Sequence, residues 1–173
     1  MSTARPSAPL AIDVVVADAA WLRAVPRARA LVRRAVRAAA RGARLRRKSA
    51  LSVALTSDRA LRALNHDFRG RDKATNVLSF ASDGKPYLGD IALARATIAR
   101  EARQQGKRLD HHLVHLVVHG TLHLLGYDHI RKADAVRMEK LERAVLARLD
   151  IADPYQLAVP PRRAQKRKTS VLD

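Results

Sequence analysis

The chain has no cysteine in its 173 residues, which excludes disulfides, thiolate metal sites, iron–sulfur clusters and cysteine nucleophiles. Aromatic residues make up only 3%, so the core must be built from Leu, Val, Ile and Ala. No apolar run approaches the ~20 residues of a membrane span, and the N-terminus lacks the unbroken apolar segment of a secretory signal. A soluble cytoplasmic protein with no membrane partner is expected. Acidic residues are scarce: 16 Asp and Glu face 34 Lys and Arg, a net charge of +18. The excess is uneven. Residues 1–48 carry 12 basic and 2 acidic side chains, residues 160–173 carry 5 and 1, and the stretch between is nearly balanced. Such ends attract polyanions, RNA first among them, through phosphate contacts and counterion release.

With 47% hydrophobic residues the chain can bury one core of ordinary size. Residues 1–9 read as a disordered leader, 10–159 as a single domain and 160–173 as a basic, disordered tail. Within the domain, Leu10–Asp18 alternates as a strand. Trp21 to about Ala40 has helical periodicity with arginines on its outer face, stopped by Gly42; Pro26 marks an alternative start. Ser49–Thr56 is a second strand, and Ser57 caps a helix to about Phe68. Short strands follow at Asn76–Phe80 and Leu88–Ala94, and a helix at Thr97–Gln105. A helix capped by Asp110 runs to Leu125 and is closed by Gly126. A last helix spans about Ala133–Leu149, ended by Asp153–Pro154. The expectation is a small α+β (or mixed α/β) domain with about four strands and five helices.

Six of the seven histidines fall between positions 111 and 129. In HGTLHLLGYDH, His119 and His123 stand four apart on one predicted helix, which puts both imidazoles on one face. Gly126 can take the left-handed conformation that turns the chain back, and His129 can then supply a third nitrogen. The pattern H-x3-H-x2-G-x2-H has the spacing of the metzincin zinc peptidases. His111, His115 and His119 are also evenly spaced, but they climb a straight helix by about 12 Å and cannot share one ion. His115 fits a core position or one behind a metal ligand, and His111 and His112 are expected at the surface. Where the peptidase helix carries the Glu that acts as general base, this chain has Gly120, so peptide hydrolysis is disfavoured. Three neutral imidazoles leave an ion its full charge and a place for water, and zinc is the default metal. A dication among basic side chains suits an anionic phosphodiester. Arg69, Arg71 and Lys73 lie in a polar loop where guanidinium groups can clamp a phosphate or simply face solvent.

On the strings VVHGTLHLLGYDH, LNHDFRGRDKATNVLSF and LGDIALA, the chain resembles the YbeY family of bacterial metal-dependent endoribonucleases, a likeness that covers roughly residues 50–155. The resemblance implies a single-strand-specific endoribonuclease. Its substrate would be ribosomal RNA, at the 3′ end of the small-subunit molecule and in ribosome quality control, with the small ribosomal subunit as partner. It also implies one Zn2+ per chain on His119, His123 and His129, and a functional arginine at Arg69. Asp90 is open between orienting a ligand and capping a strand end, and Asp128 between supporting a ligand from behind and a turn role. Tyr127 is open between base stacking and packing, and Thr75–Phe80 is an expected edge strand lining a groove.

Two classes of function fit. One is a zinc hydrolase cutting single-stranded RNA, with Arg69 on the phosphate. The other is a non-catalytic, ribosome-associated RNA-binding factor with a structural metal, which the absence of an identifiable general base favours. Structural zinc sites are normally closed by four protein ligands, whereas catalytic ones keep an open side. The metal's surroundings therefore discriminate between the two.

Overall fold

A computed structural model describes residues 9–70 and 75–156, excluding the side chain of Arg69. Most of the expected leader, the basic tail, and Arg71 and Lys73 lie outside the described residues. Four strands, β1 (Leu10–Val16), β2 (Ser49–Thr56), β3 (Val77–Ala81) and β4 (Tyr87–Ala94), form one sheet in the order β1-β2-β4-β3. β1, β2 and β4 are parallel, and β3 pairs antiparallel with β4 at the edge. Parallel pairs require crossovers. α1 (Ala20–Ala24) and α2 (Ala28–Gly42) join β1 to β2, while α3 (Asp58–Arg69) and β3 lie between β2 and β4. After β4 come α4 (Arg95–Gln104), α5 (Leu109–Leu124) and α6 (Lys132–Arg148). The architecture is α+β, with six helices among the described residues.

The sixth helix arises at Pro26. The helix predicted from Trp21 to about Ala40 is broken there, because proline offers no N–H and keeps Val25 (φ −135, ψ 87) out of the helical region. Gly42 does not stop α2. Arg44 does, at φ +56, with Leu45 N–H donating to the Ala40 carbonyl at 2.9 Å. Gly42 serves packing instead, since a Cβ there would sit 2.6 Å from Val145 Cγ2 on α6. Similarly, Asp150 at φ +58 ends α6 before Asp153–Pro154 is reached, and α5 begins behind Arg108 rather than at Asp110, which sits in its first turn. Ser57 caps α3 as expected, accepting from Ala60 N–H at 3.2 Å.

The period of two in the strands sorts their side chains onto two faces. Leu51, Val53 and Leu55 of β2 and Ile91 and Leu93 of β4 enter the main core with α2, α5 and α6. Leu78, Ala92 and Ala94 pack with Leu61 of α3 on the other face. α5 is apolar nearly all round, which fits a helix between sheet and helices. Leu113, Val117, Val118 and Leu122 are fully buried, each stabilising by roughly 1.5–3 kcal/mol relative to exposure. Gly120 lets α5 approach β3 and β4: a Cβ there would stand 3.0 Å from Ser79 Oγ and 3.1 Å from Ile91 Cγ2. Among the described residues no helix is long and apolar enough to cross a membrane.

Candidate metal centre

The last two turns of α5 carry His119 and His123 on one face, beside the sheet edge formed by β3. The helix closes on Gly126 at φ +95, with Gly126 N–H donating to the His123 carbonyl and Tyr127 N–H to the Leu122 carbonyl, both at 3.0 Å. These bonds satisfy carbonyls that the helix end would leave bare. Beyond the turn, Asp128 Oδ1 accepts from the N–H groups of His129 (2.6 Å) and Ile130 (3.1 Å). Asp128 therefore acts in the turn, fixing the backbone from which His129 reaches back. One ligand nitrogen from each of His119, His123 and His129 lies within 4.8 Å of the others.

The hydrogen bonds set which nitrogen each ring presents. His123 Nδ1 is 3.0 Å from the Tyr127 carbonyl, which can only accept, so Nδ1 carries the proton and Nε2 the lone pair. His119 Nδ1 contacts Glu142 Oε1. Burial alone would raise the Glu142 pKa, but the nearby imidazoles of His115 and His119 and the hydrogen bond from Tyr155 outweigh it and bring the carboxyl down to about 2. Glu142 is thus an ionised acceptor, and His119 likewise presents the Nε2 lone pair. The two Nε2 atoms stand 3.0 Å apart. Two lone pairs held that close repel unless a cation lies between them, so this donor set fits a metal ion. Burial first, and then the neighbouring His119, lowers the His123 pKa, which favours the neutral form a metal requires.

Glu142 and Tyr155 escaped the sequence reasoning. Glu142 lies on α6 and is fully buried. Its second oxygen accepts from Tyr155 Oη at 2.5 Å and is 3.4 Å from His115 Nε2. His115 thus stands behind His119, a candidate ligand, in line with one of its two sequence-based readings. His115, His119 and Glu142 form a second convergent trio, but Glu142 touches the His119 nitrogen that faces away from His123. The available signal was a lone acid on the apolar side of α6. His112, expected at the surface, is buried, with Nε2 2.9 Å from Glu101. It closes an α4–α5 contact, and burial lowers its pKa.

The trio opens on a cleft of about 560 Å³. One wall is β3, whose Val77 and Ser79 face α5, with Asn76 just before it; the other is the α5 end and the Gly126–His129 turn. β3 is the edge strand lining a groove, as expected. Tyr127 is half-buried and packs against the core. Asp90 accepts from Tyr87 Oη at 2.6 Å on the sheet. Arg69 is the last residue of α3, on the opposite face of the sheet.

A family model described as "Endoribonuclease YbeY" matches residues 18–150. Proteins named Endoribonuclease YbeY are similar over most of the chain. The one from Chelativorans sp. (strain BNC1) is 50% identical over 151 residues, 83% of this chain and 92% of its own. That of Rhodopseudomonas palustris (strain HaA2) is 48% identical over 163 residues, 86% and 83%. That of Rhodospirillum rubrum is 46% identical over 170 residues, 88% and 85%. In fold, the chain resembles the solution structure of TM1509 from Thermotoga maritima, at TM-score 0.52 and 22% identity, covering 84% of this chain and 99% of that one. The match over residues 18–150, and the identity to these relatives, make this chain a member of the YbeY family.

Proposed function

We propose that this protein is a zinc-dependent endoribonuclease that cuts single-stranded RNA. By its family, it would act in maturation of the small-subunit rRNA 3′ end and in ribosome quality control. The observation that carries the metal-dependent part is the 3.0 Å approach of two Nε2 lone pairs, with His129 beside them, at the floor of an open cleft. His119, His123 and His129 would hold the ion. When bound, zinc supplies Lewis acidity and a water of lowered pKa. The chain's own residues do the rest. Glu142 and the Tyr127 carbonyl hold the rings of His119 and His123 in the ligating tautomer. Asn76 and Ser79 line the path of the strand. By the family resemblance alone, since α3 packs on the sheet face away from the trio, Arg69 would contact the scissile phosphate, where a guanidinium stabilises charge that grows in the transition state.

Among the described residues no fourth histidine or carboxylate joins the trio, which supports an open catalytic site over a closed structural one. The test is cleavage of single-stranded RNA by purified protein, with elemental analysis, for wild type, His119→Ala and His123→Ala, and with chelation. The expected result is about one zinc per chain and cleavage in wild type, both lost in either variant. RNA binding without cleavage in the zinc-loaded wild type would replace this reading with that of a ribosome-associated binding factor.

A further inference from the structure

A second groove, of about 890 Å³, runs on the other side of the Gly126–Asp128 turn from the metal cleft. Its walls are the connection between α2 and β2, the turn itself and the first half of α6. Gly126, Tyr127 and Asp128 line both spaces, so the turn is a low ridge between them. At Gly126 the ridge is bare, since a Cβ there would meet nothing within 4 Å.

Five guanidinium groups line this groove: Arg44, Arg46 and Arg47 on one wall, Arg131 and Arg137 on the other. All five residues are exposed, and none makes an ion pair with a described residue. The acids in the lining are Asp128 and Asp134, and Asp128 already serves the backbone of its turn. The groove therefore carries uncompensated positive charge on two facing walls. Arg44 adds an independent sign. It holds the left-handed position at φ +56 that ends α2, where glycine would be free of strain, so its side chain is kept against a backbone preference.

We infer that this groove is a second binding site, for the phosphate backbone of a single-stranded RNA segment flanking the one in the metal cleft. The strand crosses the bare ridge at Gly126, and the arginines take successive phosphates in fork geometry. This rests on the proposed endoribonuclease reading for the nature of the strand. Continuity with the cleft favours a nucleic acid over an acidic protein surface, which would have no reason to end at the metal site.

The test uses the zinc-loaded full chain and fully 2′-O-methylated RNA that is recovered intact after the measurement, which separates binding from cleavage. Two lengths are compared, a trinucleotide and a strand of roughly 12 nucleotides, within the span single-strand sites usually cover. In the combined variant Arg44→Gly, Arg131→Gln, Arg137→Gln, the affinity advantage of the long strand should shrink at least tenfold. Its log–log salt slope should fall by about 2, from ~0.7 per lost phosphate contact on a single strand. Zinc content should not change. Arg44→Gly alone should weaken long-strand binding while its melting temperature holds or rises, which a folding defect cannot produce. An unaltered slope and length dependence in the combined variant would overturn the proposal, and would hold even if an acidic protein bound there. Failure of the endoribonuclease reading is read separately, as absence of cleavage of unmodified RNA by wild type.

Discussion

Glu142 provides the sharpest test of how the fold prepares the metal ligands. Its carboxylate is fully buried and spends one oxygen on His119 Nδ1 and the other on Tyr155 Oη and, at longer range, His115. Glu142→Gln keeps the volume and one acceptor for His119, and its amide can face the tyrosine oxygen. What it removes is the negative charge that raises the basicity of His119 and fixes its orientation. Loss of such a partner behind a ligand typically weakens metal binding 10–100-fold, or about 1.4–2.8 kcal/mol. At fixed free zinc the metal-induced rise in stability should shrink by that amount. The metal-free protein should change by no more than about 1 kcal/mol, because an isosteric neutral group spares the desolvation of a buried charge. Glu142→Ala is different: it strands the imidazoles and Tyr155 and should cost about 3–5 kcal/mol even without metal. The assay is competition for zinc against a chelating indicator, with melting curves of both forms. Wild-type zinc affinity in Glu142→Gln would refute the argument, since the charge would then contribute nothing to the ligand.

Three further outcomes are expected. Gly126→Ala, at φ +95, should cost about 1–2 kcal/mol and lower zinc affinity, because the same turn carries His129; calorimetry and zinc titration read both. Arg69→Ala should fold and keep its metal while cleavage falls on the order of 10²-fold, with Arg69→Lys rescuing only part; full activity in Arg69→Ala would remove it from the reaction. Deleting Ala164–Asp173, which removes three basic residues and one acid, should weaken RNA affinity modestly and leave zinc content untouched; an unchanged salt slope would show that the tail does not touch RNA.

What the sequence made legible follows from the range of the interactions involved. Ser57 as a cap, Gly126 as a helix stop and the His119–His123 pair are set within a few residues, and each stands where the local pattern put it. The errors share one cause. Gly42 looked like a helix stop because glycine often is one, but its role is set by Val145, about a hundred residues later in the chain. His112 looked like a surface residue because it neighbours His111, yet Glu101 from α4 covers it. Glu142 meets His119, and Tyr155 meets Glu142, only after α6 folds back across α5, and no spacing rule reaches that far. Strand order is likewise non-local: β4 inserts between β2 and β3, which the sequence of strands does not declare.

The missing acid at position 120 acquires a physical reason from the same packing. In a helix that supplies two ligands at i and i+4, the residue after the first ligand points about 100° from the first and about 60° from the second. Here that direction leads into the sheet, where Ser79 and Ile91 leave no room for even a Cβ at ordinary distance, and Ser79 Oγ donates to the Gly120 carbonyl at 3.3 Å. A glutamate at this position would have to push α5 off β3 and β4, and so dismantle the wall of its own cleft. The close packing that builds the groove therefore disfavours a side chain, and with it a general base, at position 120. Among the described residues lining the cleft, the remaining carboxylate is Asp128, with one oxygen held by two backbone N–H groups. A reaction that needs little help from a protein base suits such a site. RNA meets that condition better than a peptide bond does, because its 2′-hydroxyl stands beside the phosphate and phosphoryl transfer depends chiefly on positioning and charge.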